Sequence, residues 1–294
     1  MLNHLHGFQI LRRIGQSNTA EIFHVVRTVG ENRGSEYAAK VLREACAHDR
    51  TERKHLETEY DVCSGLDHPN LVRAYEVRLD ARRPFLVMDL VRHSRSLRQH
   101  LETGPPPLGA ALDWLAKVAD GLAYLHETGY VHLDVKPQNL LVGNGGADVK
   151  VIDFALADQR DGWFGRHLLR RLLERRRPGT WSYMAPERIR NRRLTTAADI
   201  YGLGVTLYEA VTGRLPFTAP SPQALMEQHL YAPIPSLSQA GVDVPPAVDD
   251  LVRAMLAKDP LDRPAGMLYV SAKLHAAAGA CRGASDGHPG PESG

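Results

Sequence analysis

Between His132 and Phe154 the chain gathers residues able to act on an anion and its cation: carboxylates at Asp134 and Asp153, an amide at Asn139 and an ammonium at Lys136. Carboxylate and amide oxygens suit a hard divalent ion such as Mg²⁺, which also takes water and phosphate. A carboxylate two residues from a lysine can accept or orient a proton while the cation stands by developing negative charge. Taken singly these residues mean little, because an Asp near an Asn is most often a turn former. Lys40, in Tyr37-Ala38-Ala39-Lys40, is a further cation within an apolar run, and a lone strand lysine is ordinarily a solvated edge.

The ordered set carries more than its parts. His132-Leu133-Asp134-Val135-Lys136-Pro137-Gln138-Asn139, then Asp153-Phe154-Ala155, then Ala185-Pro186-Glu187, resembles the catalytic domain of eukaryotic-type (Hanks-type) serine/threonine protein kinases over roughly residues 8–275. The resemblance implies transfer of the ATP γ-phosphoryl group to a protein hydroxyl, with Mg²⁺ as the metal. It assigns Asp134 to the acceptor proton, Lys136 to the γ-phosphate, and Asn139 and Asp153 to the metal. It sets Lys40 against the α- and β-phosphates, with a carboxylate of the following helix as partner. Glu59 is the better choice over Glu57, because it lies nearer the Leu56/Tyr60/Cys63 face. The adenine ring is expected between Ile14, Ile22 and Ala38 on one side and Leu141 on the other, with Met88 at the back, although these residues would serve equally as ordinary core. Backbone groups of Asp89 and Val91 would meet the base edge. Glu187 resembles a carboxylate that pairs with a late arginine, for which Arg263 fits. Asp199 resembles the brace of the catalytic loop, its plainer role being a helix N-cap. Lys136 and Gly179-Thr180 favour the serine/threonine class over the tyrosine class.

Departures from the family pattern bear on activity and regulation. In Gly15-Gln16-Ser17-Asn18-Thr19-Ala20 the first glycine of a phosphate loop is kept, and Ser17 and Ala20 replace the other two, which retains small size without glycine's freedom. Ala155 replaces the glycine usual after Asp-Phe. Leu133 stands where kinases switched on by activation-loop phosphorylation carry arginine, so the resemblance is to the non-RD kind, and leucine cannot hold a phosphate. Between Phe154 and Pro178 there is no Ser, Thr or Tyr, so activity is expected to be independent of phosphorylation in the central activation segment. Two alternatives stay open: a pseudokinase scaffold, suggested by the lost glycines, and a small-molecule phosphotransferase of kinase-like fold. The presence of Lys40, Asp134, Asn139 and Asp153 together opposes the first, and Ala185-Pro186-Glu187, a platform for peptide, opposes the second. Gln138 and Arg95 argue against a strongly basic substrate consensus.

The elements that must position these groups follow from patterning. Short apolar runs at 8–14, 20–28, 36–42, 71–77 and 84–90 predict an antiparallel sheet, interrupted by a helix over 49–64. After Val91 helical spacing takes over at 109–128, 197–213, 221–230, 246–257 and 264–278. The fold class is therefore α+β and bilobal: a catalytic domain over 1–275, with a small lobe to about residue 90, a larger and mainly helical lobe from 91, and a disordered Gly/Ala/Ser/Pro tail at 276–294. With 294 residues, 43% of them hydrophobic, the chain can bury such a core, and a net charge of +2 gives no general field for nucleic acid. Charge is concentrated at 166–177, where four leucines share a broad helical face among arginines. This is either a solvated basic loop or an amphipathic helix for an acidic partner or an anionic surface, anchored by Trp163 and Phe164. Three scattered cysteines suggest neither disulfides nor zinc, and no leader or membrane span is expected, so the reading is cytoplasmic.

Overall fold

Strands whose side chains alternate between two cores build the N-terminal sheet. The computed structural model describes residues 4–159 and 180–286, so the basic stretch at 166–177, with Trp163 and Phe164, lies outside the described residues. Strands β1 (His4–Leu5), β2 (Phe8–Gln16), β3 (Ala20–Arg27), β4 (Glu36–Leu42), β5 (Ala74–Arg78) and β6 (Phe85–Met88) pair antiparallel in the order β1-β2-β3-β4-β6-β5. In β4, Ala39 and Val41 join Phe8, Val25, Phe85 and Val87 in a small outer core, while Ala38 and Leu42 join the main core. Alternation puts Lys40 on the same face as Ala38 and Leu42. Against that face lies α1 (Arg50–Cys63), capped by the Asp49 carboxylate on the amides of Thr51 and Glu52. Its buried positions include Leu56, Glu59 and Cys63, a helical stripe that points a carboxylate inward among apolar neighbours.

Beyond the sheet the chain is mainly helical. Short α2 (Leu97–Leu101) opens with a capping box between Ser96 and Gln99. Helix α3 (Leu108–Glu127) and the helices Thr196–Thr212, Pro222–Tyr231, Pro246–Met255 and Met267–Asp286 fall where helical spacing predicts them, with ends moved by a few residues at most except at the last. The Thr196–Thr212 helix is buried along nearly its whole length. Its Gly202 lets it approach the loop that carries Asp134, since a Cβ there would stand 3.0 Å from the carbonyl oxygen of Val135. The hairpin Leu140–Gly143 with Asp148–Val151 returns the chain from Asn139 to Asp153.

The tail reading needs correction. Residues 276–286 continue the last helix instead of forming disordered tail; residues 287–294 lie outside the described residues. Alanine is the strongest helix former, and a small side chain suffices where two helices approach closely. Ala278 is fully buried, Cys281 packs near Gly109, and Arg282 pairs with Asp113 of α3 at 3.1 Å. Among the described residues no helix is long and apolar enough to cross a membrane.

Candidate active site

One cluster of charge lines, and a second adjoins through Asn139, a cleft of about 1070 Å³ formed by residues of β2, β3, β4, α1, the segment after β6, and the loop and hairpin between Gln138 and Asp153. The first is built across the sheet. Lys40 Nζ donates to Glu59 Oε2 at 2.6 Å and to Asp153 Oδ1 at 2.9 Å, joining β4, α1 and the end of the hairpin. Burial works against the Lys40 ammonium, but the carboxylates of Asp153 and Glu59 more than offset it and hold its pKa above the ordinary lysine value. Burial likewise opposes ionisation of Asp153, yet Lys40, with Lys136 and His132 behind it, holds this carboxyl below the usual range. Glu59, with a side chain 1% exposed, is pushed up by burial while Lys40 pulls it back. Asp153 has φ +66°, a left-handed backbone that this carboxylate holds without being glycine. Phe154 beside it is fully buried, its ring 4.9 Å from that of His132.

The second cluster is the loop after the short strand Tyr130–Val131. Lys136 Nζ donates to Asp134 Oδ2 at 2.6 Å, and Asn139 Nδ2 donates to the same oxygen at 3.0 Å and to the Asp134 carbonyl at 2.8 Å. Among the described residues Asp134 takes its side-chain hydrogen bonds at Oδ2, and Oδ1 is open to a further donor. Because Asn139 spends its amide nitrogen on Asp134, its amide oxygen is the atom left for a cation. That oxygen and the Asp153 carboxylate are the donor set Mg²⁺ prefers, a pair too few for a protein-only cage and suited to an ion completed by water and phosphate. The loop is braced from below by Asp199, which accepts from the amides of His132 and Leu133 at 2.8 and 2.7 Å and from His126 Nε2 at 2.8 Å. Thr195, not Asp199, caps that helix.

Ile14, Gly15, Ser17, Ile22, Lys40, Glu59, Met88, Val91, Asn139, Leu141 and Asp153 all line the cleft. Ala38 lies instead in the core, paired with Met88, and Asp89 turns its side chain away to Tyr75 and Lys150 while its amide donates to Arg73. Asp134 and Lys136 sit beside the cleft wall, linked to it through Asn139. Ser17 does more than fill a glycine position. Its Oγ accepts from the amides of Ala20 and Thr19 at 3.0 and 3.3 Å, so the turn between β2 and β3 is closed by a side chain.

Side chains outside the cleft brace the segments around it. Tyr183 donates to Glu209 at 2.5 Å, and Arg98 bonds both, at 2.5 and 2.9 Å, closing a polar set under the segment that ends in Ala185-Pro186-Glu187. Glu187 accepts hydrogen bonds from Nη1 and Nη2 of Arg263, each at 2.8 Å, in a fully buried fork. Residues 8–274 match the family described as protein kinase domain. The chain belongs to that family.

This kinase domain is 35% identical over 245 residues to a serine/threonine-protein kinase, PknL, of Mycobacterium tuberculosis, covering 82% of this chain and 59% of the relative. It is 31% identical over 257 residues to the serine/threonine-protein kinase PrkC of Bacillus subtilis, covering 87% of this chain and 38% of that protein. It is 37% identical over 236 residues to the serine/threonine-protein kinase PkaA of Streptomyces coelicolor, covering 79% and 41%. The kinase domain thus spans less than two-thirds of the length of these relatives.

Proposed function

We propose that the chain is an ATP-dependent protein kinase acting on serine or threonine hydroxyls of protein substrates. The observation that carries the proposal is the meeting of two charge clusters at one cleft: Lys40, Glu59 and Asp153 on one side, Asp134 with Lys136 and Asn139 on the other. Lys40, fixed by two carboxylates, is pre-organised for the α- and β-phosphates. Asn139 and Asp153 would hold Mg²⁺, which when bound neutralises phosphate charge. Asp134 accepts or orients the acceptor proton, and Lys136 answers the charge that develops on the transferred group. Ile14, Ile22, Leu141 and Met88 provide the apolar walls for the base.

The relatives' names point to the same acceptor class. Replacing Asp134 by Asn keeps shape and removes proton acceptance, so labelled-ATP transfer to a generic protein acceptor should fall about 10²–10⁴-fold. Equal transfer by parent and variant rejects the assignment; a parent that binds nucleotide without transfer supports the scaffold alternative, and transfer only to small molecules supports the other.

Activity is further proposed to be independent of phosphate in the central activation segment, since Leu133 cannot hold one and residues 155–177 offer no hydroxyl. Phosphatase-treated protein should retain full activity, and its loss on treatment refutes this reading. The proposal extends to a catalytic domain that includes the whole last helix, Met267–Asp286, with lobes meeting near residue 90, a cytoplasmic setting, and an acidic partner or anionic surface for 166–177.

A further inference from the structure

The direction of Asp134 depends on the peptide plane that precedes it, and side chains hold both polar groups of that plane. The Asp134 amide donates to His132 Nδ1 at 3.2 Å, and the Leu133 carbonyl accepts from Arg188 Nη1 at 2.5 Å. Leu133 has φ +63°, left-handed backbone that is disfavoured for a residue with a side chain. Asp199 fixes its amide and Arg188 fixes its carbonyl, so two charges clamp the strained residue from opposite ends.

Stability alone does not account for Arg188. The residue is 7% exposed, and its buried Nε finds no hydrogen-bond partner among the described residues. Burial draws the guanidinium below its ordinary pKa, with Asp134 and Asp199 opposing. A buried cation with an incomplete set of partners is costly to hold, and an apolar residue of similar size would spare that cost. What anchors Arg188 is its neighbour: Glu187 is locked to Arg263, so the Pro186–Ile189 turn that carries the guanidinium cannot drift.

We propose that Arg188 is a positioning residue for phosphoryl transfer, aligning Asp134 through the Leu133 carbonyl and doing so without a phosphate. The inference rests on the kinase reading and deepens it: position 133 itself carries no cation, and the cation that steadies this backbone comes from the segment that ends the peptide platform.

The test compares the 294-residue chain with its Arg188→Gln and Arg188→Lys variants in kcat, in KM for Mg-ATP, and in hydrogen–deuterium exchange of the segment 130–140. Loss of one charge-assisted hydrogen bond predicts a kcat about ten- to a hundredfold lower for Arg188→Gln, with faster exchange at Leu133 and Asp134. KM for Mg-ATP should stay within about twofold, because the lost contact serves orientation and not ground-state binding. Arg188→Lys should fall between the two. Unchanged kcat in Arg188→Gln, or a kcat loss accompanied by an equal loss of nucleotide affinity, overturns the proposal. Should Arg188→Gln fail to fold, Arg188→Lys decides: a shorter ammonium without the fork should slow turnover about threefold or more, and parental kcat with parental exchange refutes the role. A parent inactive toward every protein acceptor refutes the kinase reading instead, while the exchange difference still decides the Arg188 contact.

Discussion

In Asp153, Oδ1 is taken by Lys40 at 2.9 Å, so the proposed metal would fall to Oδ2. Replacing Asp153 by Asn keeps the size and removes the charge that faces both a divalent ion and the lysine. Nucleotide binding by Asp153→Asn should need a several-fold higher magnesium concentration than the parent, and an unchanged magnesium titration would remove Asp153 from the metal site. At this scale the sequence was most informative where residue type and spacing act together. The resemblance pairs Lys40 with a carboxylate of the following helix, the helical face selects Glu59 over Glu57, and the two side chains stand 2.6 Å apart. Ser17 shows the opposite case. A serine for a glycine reads as lost freedom, whereas its hydroxyl supplies two hydrogen bonds that close the turn, a gain that depends on loop geometry no pattern encodes.

Among elements, the Pro186–Ile189 turn and the Thr196–Thr212 helix form the floor on which the catalytic loop rests. The Glu187–Arg263 fork ties that floor to the segment before the last helix, with side chains 2% and 0% exposed. Glu187→Gln would leave Arg263 buried with its charge uncompensated, which costs about 3–5 kcal/mol and should lower the denaturant midpoint accordingly. A midpoint within error of the parent would show that the carbonyls of Ala257 and Ala197, which Arg263 also reaches at 2.8 Å, suffice by themselves. The longer helices and the sheet strands were legible because apolar periodicity is set by which face is buried, whereas the short helices Leu97–Leu101 and Pro186–Ile189 have too few turns to show it. The end of the last helix was not legible either. Residues 276–286 have little to bury in the apolar sense, yet Ala278 and Cys281 are small enough to sit against α3, and only the partner helix makes that smallness a contact.

For the molecule as a whole, acid should be the weak side. His229 is fully buried, its Nδ1 2.8 Å from the Tyr201 hydroxyl and its ring 5.1 Å from Phe217. Burial, with the Lys258 ammonium adding to it, lowers its pKa to about 4. Unfolded histidine titrates near ~6.5, so between these values the unfolded chain binds the extra proton. The stability due to neutral His229 is therefore complete above about 6.5 and is lost as pH falls toward 4. The melting temperature should drop more between pH 7.5 and 5 in the parent than in His229→Gln, which cannot titrate; parallel drops would place the acid sensitivity elsewhere.

The close fit of α3 with the Met267–Asp286 helix has a consequence for synthesis. Asp120 of α3 bonds Ser271 and His275, and Asp113 bonds Arg282, so the partners meet across more than a hundred residues of intervening chain. On a ribosome adding about 5–20 residues per second, α3 emerges on the order of 10 s before the helix that covers it. During that interval its apolar side is open to chaperones and to other nascent chains. Codon changes or stalls between residues 128 and 267 should therefore affect the yield of soluble protein more strongly than equal changes placed before α3.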